Sequence, residues 1–319
     1  MSALFSLSFQ GEPEFLGAVG EAERRQVPLL AFPNRPSHEA IRSPGYRAFK
    51  VAPLSSGGLL LAAISNRGAR DRFGRPVLSC TGYIADPGRL SGSFRDIGAV
   101  LKALAEWTPS EGMAEFEHRV ERLSVMTDPA AFERMFGYLR SHPRFVANAA
   151  AALTRRESDL YFRRGESDLD ELSTVLAILP LKYIKRLCLA TGSVDGEGRE
   201  PALGLIESSS PNSLAGGLLR RIGRLWRRGP NRPRVRFSSK TVEGIGESPL
   251  TPVVDAVLDP FDWPGTDPQK RFGILLDCLN ARGPGGKMKT PFESVRELEQ
   301  MRRTVRRLEE FTRAVERLE

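Results

Sequence analysis

Residues 46–85, YRAFKVAPLSSGGLLLAAISNRGARDRFGRPVLSCTGYIA, decide the fold class. YRAFKVAP (Tyr46 to Pro53) alternates as a half-buried strand does, with Tyr46, Ala48 and Val51 expected inward. Ser55 to Gly58, Ser-Ser-Gly-Gly, is turn chemistry, and LLLAAI (Leu59 to Ile64) returns from it, so the two runs predict a hairpin. Asn66 to Pro76, with its glycines and final proline, predicts a connection. VLSCTGYIA (Val77 to Ala85) predicts a third strand, which Asp86-Pro87-Gly88 stops. Short turns between successive strands imply a mainly antiparallel sheet. Within the connection, Asp71, Gly74 and Arg75 predict either a fixed corner, in which Asp71 pairs with an arginine, or a loop that contacts a ligand.

Toward the N-terminus, LFSLSF (Leu4 to Phe9) alternates loosely and VPLLAF (Val27 to Phe32) is a short apolar run, and both predict strands. After Phe94 the period changes. Phe94, Ile97, Val100, Leu101 and Leu104 share one helical face. A second pattern carries Phe116, Val120 and Leu123, and a third Phe132, Met135, Phe136 and Leu139. Asp128-Pro129 supplies the third with an N-cap and a proline at the first helical position. Phe145 to Leu153 predicts a further helix. Ser167 to Leu179 predicts another, with Leu169, Leu172, Val175, Leu176 and Leu179 as its apolar stripe, closed by Pro180. Leu187 to Thr191 and Ala202 to Ile206 predict two strands joined by a Gly-rich loop, which either complete a second small sheet or extend the first.

Beyond Pro249 the pattern is helical again. Pro252 to Leu258 is short, and Asp267-Pro268 caps Gln269 to Asn280. Thr290-Pro291-Phe292-Glu293 is a capping box opening a helix that runs toward Glu319. Its stripe of Phe292, Val295, Leu298, Met301, Val305, Leu308, Phe311, Val315 and Leu318 packs on its own domain or on a partner, including a second copy through 291–319. The expected fold class is therefore α+β: an N-terminal mainly antiparallel sheet with packed helices, then a C-terminal helical region ending in a long amphipathic helix. The expected organisation is an α+β body over 1–207 (β-rich 1–90, helical 91–180, β-hairpin 187–206), a basic linker or insert over 208–248, and a helical region over 249–319.

Charge is local in this chain. It carries 47 Lys and Arg against 39 Asp and Glu, and LAGGLLRRIGRLWRRGPNRPRVR (Leu214 to Arg236) alone holds eight arginines and no acid, so the remainder balances. A local positive field points to a partner. Leu214, Leu218, Leu219, Ile222, Leu225 and Trp226 gather on one side of a helix, with Arg220, Arg221, Arg224, Arg227 and Arg228 on the other. Gly229-Pro230 ends it, and Arg232, Arg234 and Arg236 continue in an extended arm. Such a segment lies in a lipid headgroup layer, tracks a phosphate backbone, or docks its leucines on protein with the arginines facing water or an acidic partner. Trp226 and Phe237 are the aromatic residues at hand for stacking on bases.

Three cysteines, Cys80, Cys188 and Cys278, each in an apolar run, predict core thiols in a reducing compartment. The opening residues lack a basic leader region, and no window is apolar for 18 residues, so the expectation is a cytoplasmic protein. His38, His118 and His142 have no second ligand at a metal-binding spacing, and no Gly-x-Ser-x-Gly elbow occurs. GPGGKMKT (Gly283 to Thr290) has Met288 where a phosphate loop needs Ser or Thr, and predicts an interhelical turn. No cofactor, metal or catalytic residue is expected, and the reading is of a non-enzymatic protein.

RDRFGRPVLSCTGYIAD (Arg70 to Asp86) and LSTVLAILPLKYIKRLCLATG (Leu172 to Gly192) together resemble the N-terminal and middle regions of bacterial GTPase-associated proteins. The resemblance covers roughly residues 1–207. Members of that family are encoded beside small Ras-like GTPases in multigene conflict or defence systems. The resemblance implies an adaptor or regulator whose partner is such a GTPase, and it carries over no catalytic residue. The residues themselves also leave open a polyanion-binding module, for nucleic acid or an anionic membrane surface, built on 214–236.

Overall fold

The computed structural model describes residues 2–8, 12–31, 47–74, 76–86, 88–154, 159–161, 169–185, 187–190, 202–204, 233–237, 239–246, 248, 250–258 and a few helical positions between 268 and 303. The three strands read from 46–85 are β3 (Arg47–Pro53), β4 (Leu59–Arg70) and β5 (Pro76–Ala85). With β1 (Ala3–Ser8), β2 (Glu14–Leu16) and β7 (Leu189–Ala190) they form one antiparallel sheet in the order β2-β1-β5-β4-β3-β7. The α+β class holds.

Both faces of this sheet are buried. Phe49, Val51, Leu59, Leu61, Ala63, Tyr83 and Ala85 face the helical layer, while Ala48, Leu60, Ala62, Ile64, Leu78, Cys80 and Ile84 build a second core on the opposite side. Ala48 and Val51 are both inward, but into different cores, because side chains alternate faces along a strand. The described part of VPLLAF, Val27 to Ala31, is not a strand. It closes α1 (Glu21–Leu30), whose Val27 is buried against the second core. The preceding Glu-Ala-Glu-Arg-Arg-Gln are good helix formers with acids in the first turn, and they carry the apolar run into the helix.

The helical layer comprises α2 (Ile97–Glu106), α3 (Met113–Leu123), α4 (Pro129–Ser141), α5 (Pro143–Leu153), α6 (Leu169–Ala177) and the single turn α7 (Leu181–Ile184). Asp128 caps α4 as its sequence requires, accepting from the N–H groups of Ala130 and Ala131. Thr81 reaches out of β5 and donates to the Leu104 carbonyl at 2.8 Å, pinning the end of α2 to the sheet. Where α2 crosses α6, a Cβ on Gly98 would stand 1.8 Å from the Ser173 Oγ and 3.0 Å from its Cα. The two backbones approach this closely only because residue 98 has no side chain.

Asp96 ties the layer together. One carboxylate oxygen accepts from the Ala99 N–H at 3.0 Å and the other from Val125 N–H at 2.9 Å, so one buried residue caps α2 and fixes the turn after α3. Burial outweighs these bonds and raises its pKa above the ordinary carboxylate value.

A second sheet, in the order β10-β9-β6-β8, is built from β6 (Asp159–Tyr161), β8 (Ala202–Gly204), β9 (Arg234–Arg236) and β10 (Thr241–Glu243). The hairpin expected over 187–206 is thus replaced by two strands in different sheets: β7 adds to β3, and β8 pairs with β6. Backbone pairing at an open edge of each sheet overrides adjacency in sequence. Nor does the whole of 208–248 stand apart, since Val235 and Phe237 join the main core. Val253, Val254 and Val257 of α8 (Thr251–Leu258) join it too, as do Phe272 and Leu276. Arg296, Gln300 and Arg303 are helical and exposed. The stripe of the last helix and residues 277–295 lie outside the described residues.

Two outcomes follow from this packing. Gly98→Ala forces α2 away from α6 and should lower stability by about 1–3 kcal/mol in urea unfolding, whereas Gly137→Ala, with nothing within 4 Å of the added carbon, should cost nothing. Because the raised Asp96 pKa means that the folded chain holds this proton more tightly than the unfolded chain, the Asp96 contribution declines as pH rises from about 4 through the raised value. Asp96→Asn should remove that slope from a plot of stability against pH.

Candidate functional site

Strands β4 and β5 extend past the described residues of their neighbours β3 and β1. β3 begins at Arg47, opposite Ser65, and β1 ends at Ser8, opposite Ser79, so beyond those pairs the two strands continue as a ribbon with no flanking strand among the described residues. Its register shifts between Asn66 and Arg70, where Gly68 takes φ +82° and donates its N–H to Asn66 Oδ1 at 2.8 Å. This bulge bends the ribbon. The expected connection over Asn66 to Pro76 is therefore mostly strand, and only its tip turns.

The tip is fixed by its own side chains. The Phe73 N–H donates to Asp71 Oδ1 at 2.9 Å, the Gly74 N–H to the Asp71 carbonyl at 2.9 Å, and the Arg70 guanidinium to the Gly74 carbonyl at 2.7 Å. Gly74 has φ +76°, a region that penalises a side chain. Asp71 and Gly74 thus form a fixed turn in which the Asp71 carboxylate and carbonyl accept from backbone N–H groups, and Arg75 lies outside the described residues. What the sequence reading passed over is the residue the corner displays. Phe73 is 66% exposed, and the Arg72 guanidinium carbon lies 4.8 Å from its ring centroid. An aromatic between two arginines at a glycine turn was the available signal.

Of the arginine-rich stretch, Arg220, Arg221, Arg224, Trp226, Arg227, Arg228 and Arg232 lie outside the described residues. Its end is in place: Arg234 and Arg236 belong to β9, as the expected extended arm, and Arg236 Nε is 3.7 Å from Glu243 Oε1 on β10. β9 is held firmly. Lys240, in the turn between β9 and β10, has φ +54° and is the only non-glycine with positive φ among the described residues. Its ammonium pairs with Glu171 and lies 5.2 Å from the Tyr138 ring centroid and 5.8 Å from that of Phe145. Phe237 meets Phe145 edge-on at 5.4 Å. Left-handed backbone costs about 1–3 kcal/mol for such a residue. Each cation–π contact returns about 0.5–1 kcal/mol, and the part-buried ion pair adds to them.

Among the described residues, no group of three or more His, Cys, Asp or Glu is placed to hold a metal ion, and no helix is long and apolar enough to cross a membrane. His118 is exposed beside Glu121, and His142 packs edge-on against Tyr138 at 5.0 Å. His38 and 283–290 lie outside the described residues. Compared with protein-family models, with curated proteins and with solved structures, the chain matches none.

The clamp makes an ordered prediction. Lys240→Ala loses the contacts and keeps the backbone strain, so it should destabilise by about 2 kcal/mol, while Lys240→Gly loses the same contacts but relieves the strain and should cost less. Urea midpoints of the two variants decide it; equal losses would remove the strain from the account.

Proposed function

We propose that the chain is a non-enzymatic adaptor that binds an acidic protein surface, and that the ribbon between β4 and β5 is a principal contact. The observation that carries this reading is Phe73, held exposed beside Arg72 on a tip that hydrogen bonds fix in advance. A rigid aromatic anchor beside a guanidinium is the residue pairing that concentrates energy in protein interfaces, because little conformational freedom is lost when it docks. The resemblance of Arg70 to Asp86 and of Leu172 to Gly192 makes a small Ras-like GTPase, in a bacterial conflict or defence system, the first partner to test.

Tagged full-length chain is to be assayed against the Ras-like GTPases of its own genome, each loaded with GDP or with a non-hydrolysable GTP analogue. Association in one state is expected, with Phe73→Ala and Arg72→Ala each weakening it about tenfold or more. Absence of association in both states rejects the GTPase as partner. A second reading rests on the eight arginines of 214–236: a polyanion, nucleic acid or anionic lipid, is the ligand. Binding to duplex DNA or to anionic vesicles would then fall steeply with salt, and Arg-to-Ala changes at 220, 221, 224, 227 and 228 would flatten that slope.

A further inference from the structure

On β3, Lys50 shares the face of Ala48 and points away from the helical layer that receives Phe49 and Val51. Its cross-strand neighbours are two alanines, Ala62 on β4 and Ala190 on β7. The side chain is only 4% exposed. Among the described residues it has neither hydrogen bond nor ion pair, and the ionisable group that acts on it is the Cys188 thiol. A buried ammonium without a carboxylate loses several kcal/mol of hydration, so burial lowers the Lys50 pKa and favours the neutral amine.

The strand register places the thiol. Lys50 pairs with Ala190 and Val51 with Leu189, so one further step sets Cys188 against Ala52, on the face that Lys50 occupies. The two residues are diagonal neighbours, a separation of about 7–8 Å between backbones that a lysine stem spans. Among the described residues β7 is the edge strand, and Cys188 is half-buried, whereas the Lys50 side chain is 4% exposed. The geometry therefore offers a half-buried thiol at a sheet edge, backed by a largely buried base.

We propose that Lys50 and Cys188 form a covalent modification site, in which the amine activates the thiol for exchange with a disulfide of low molecular mass. The Cys188 thiol passes its proton to the neutral Lys50 amine, leaving a thiolate beside an ammonium. The thiolate attacks one sulfur of the disulfide; a new sulfur–sulfur bond forms as the old one breaks, and the leaving thiolate takes the electron pair and then a proton. Cys188 is oxidised to the mixed disulfide, and half of the small disulfide is reduced to its thiol. Cys80 is an internal contrast: it is fully buried, and burial pushes its thiol far up, out of the reactive range.

Full-length protein, folded and in denaturant, is treated with a chromogenic aromatic disulfide across pH, with the modified cysteine located by peptide mass spectrometry. Cys188 in the folded chain should react about tenfold faster at neutral pH than in the unfolded chain, with an acid-shifted profile, and Cys188→Ser should abolish that fast phase. Lys50→Met, which fills the same space without a buried charge, should fold and return the rate to that of an ordinary thiol. Equal rates in folded and unfolded chains, or a Lys50→Met protein that reacts like the wild type, would overturn the proposal.

Discussion

Burial of the β3–β4–β5 meander on both faces is the constraint from which the rest of the molecule follows. Alternate residues of β4, Leu59 and Leu61 against Leu60 and Ala62, enter two separate cores, and each core needs a cover. At roughly 25 cal/mol per Å² of apolar surface, leaving either face in water would cost more than a domain of this size has to spare. One cover is the layer of α2 to α6. The other includes α1, which explains why the short run ending at Leu30 became helix. A sheet closed on both sides offers no face to a ligand. Contacts with other molecules then fall to what projects beyond the sheet or borders it, and the ribbon at Phe73 and the β7 edge at Cys188 are such places.

Inside the cores, polar groups act as fasteners. Thr81 donates to Leu104, Asp96 accepts from Ala99 and Val125, and Ser248 donates to the Ala147 carbonyl at 2.8 Å while accepting from Leu250 N–H. Each joins segments far apart in sequence, and each satisfies a buried group that would otherwise cost about 1–3 kcal/mol. Lys240 does the same from the second sheet, using Glu171 and two rings. Lys50 differs from these: its cross-strand neighbours are two alanines, and it is a charged residue type. That contrast is what distinguishes it from the structural polar residues around it.

The ribbon and the β9 strand show how a rigid body presents cationic groups. Asp71 consumes a local N–H and Gly74 supplies the turn, so Arg72 and Phe73 are held outward without help from the core. β9 enters the second sheet at the end of the arginine-rich stretch, and its Val235 and the following Phe237 are buried. The arm thus ends in an anchored strand.

Local chemistry made much of this legible from residues alone. The Ser-Ser-Gly-Gly hairpin, the Asp128-Pro129 cap, the apolar stripes of α2 to α6 and the Asp71–Gly74 corner rest on interactions within a few positions of each other, which a sequence states directly. Sequence also located the excess of charge in 214–236. It could not state which sheet β7 and β8 would join, because strand pairing depends on which edges are open once the layers have formed. Nor could it reveal Lys50 beside Cys188, separated by more than a hundred residues and brought together only by the register of β3 on β7. Phe73 lay between: its turn was written locally, but its exposure is a property of the folded chain.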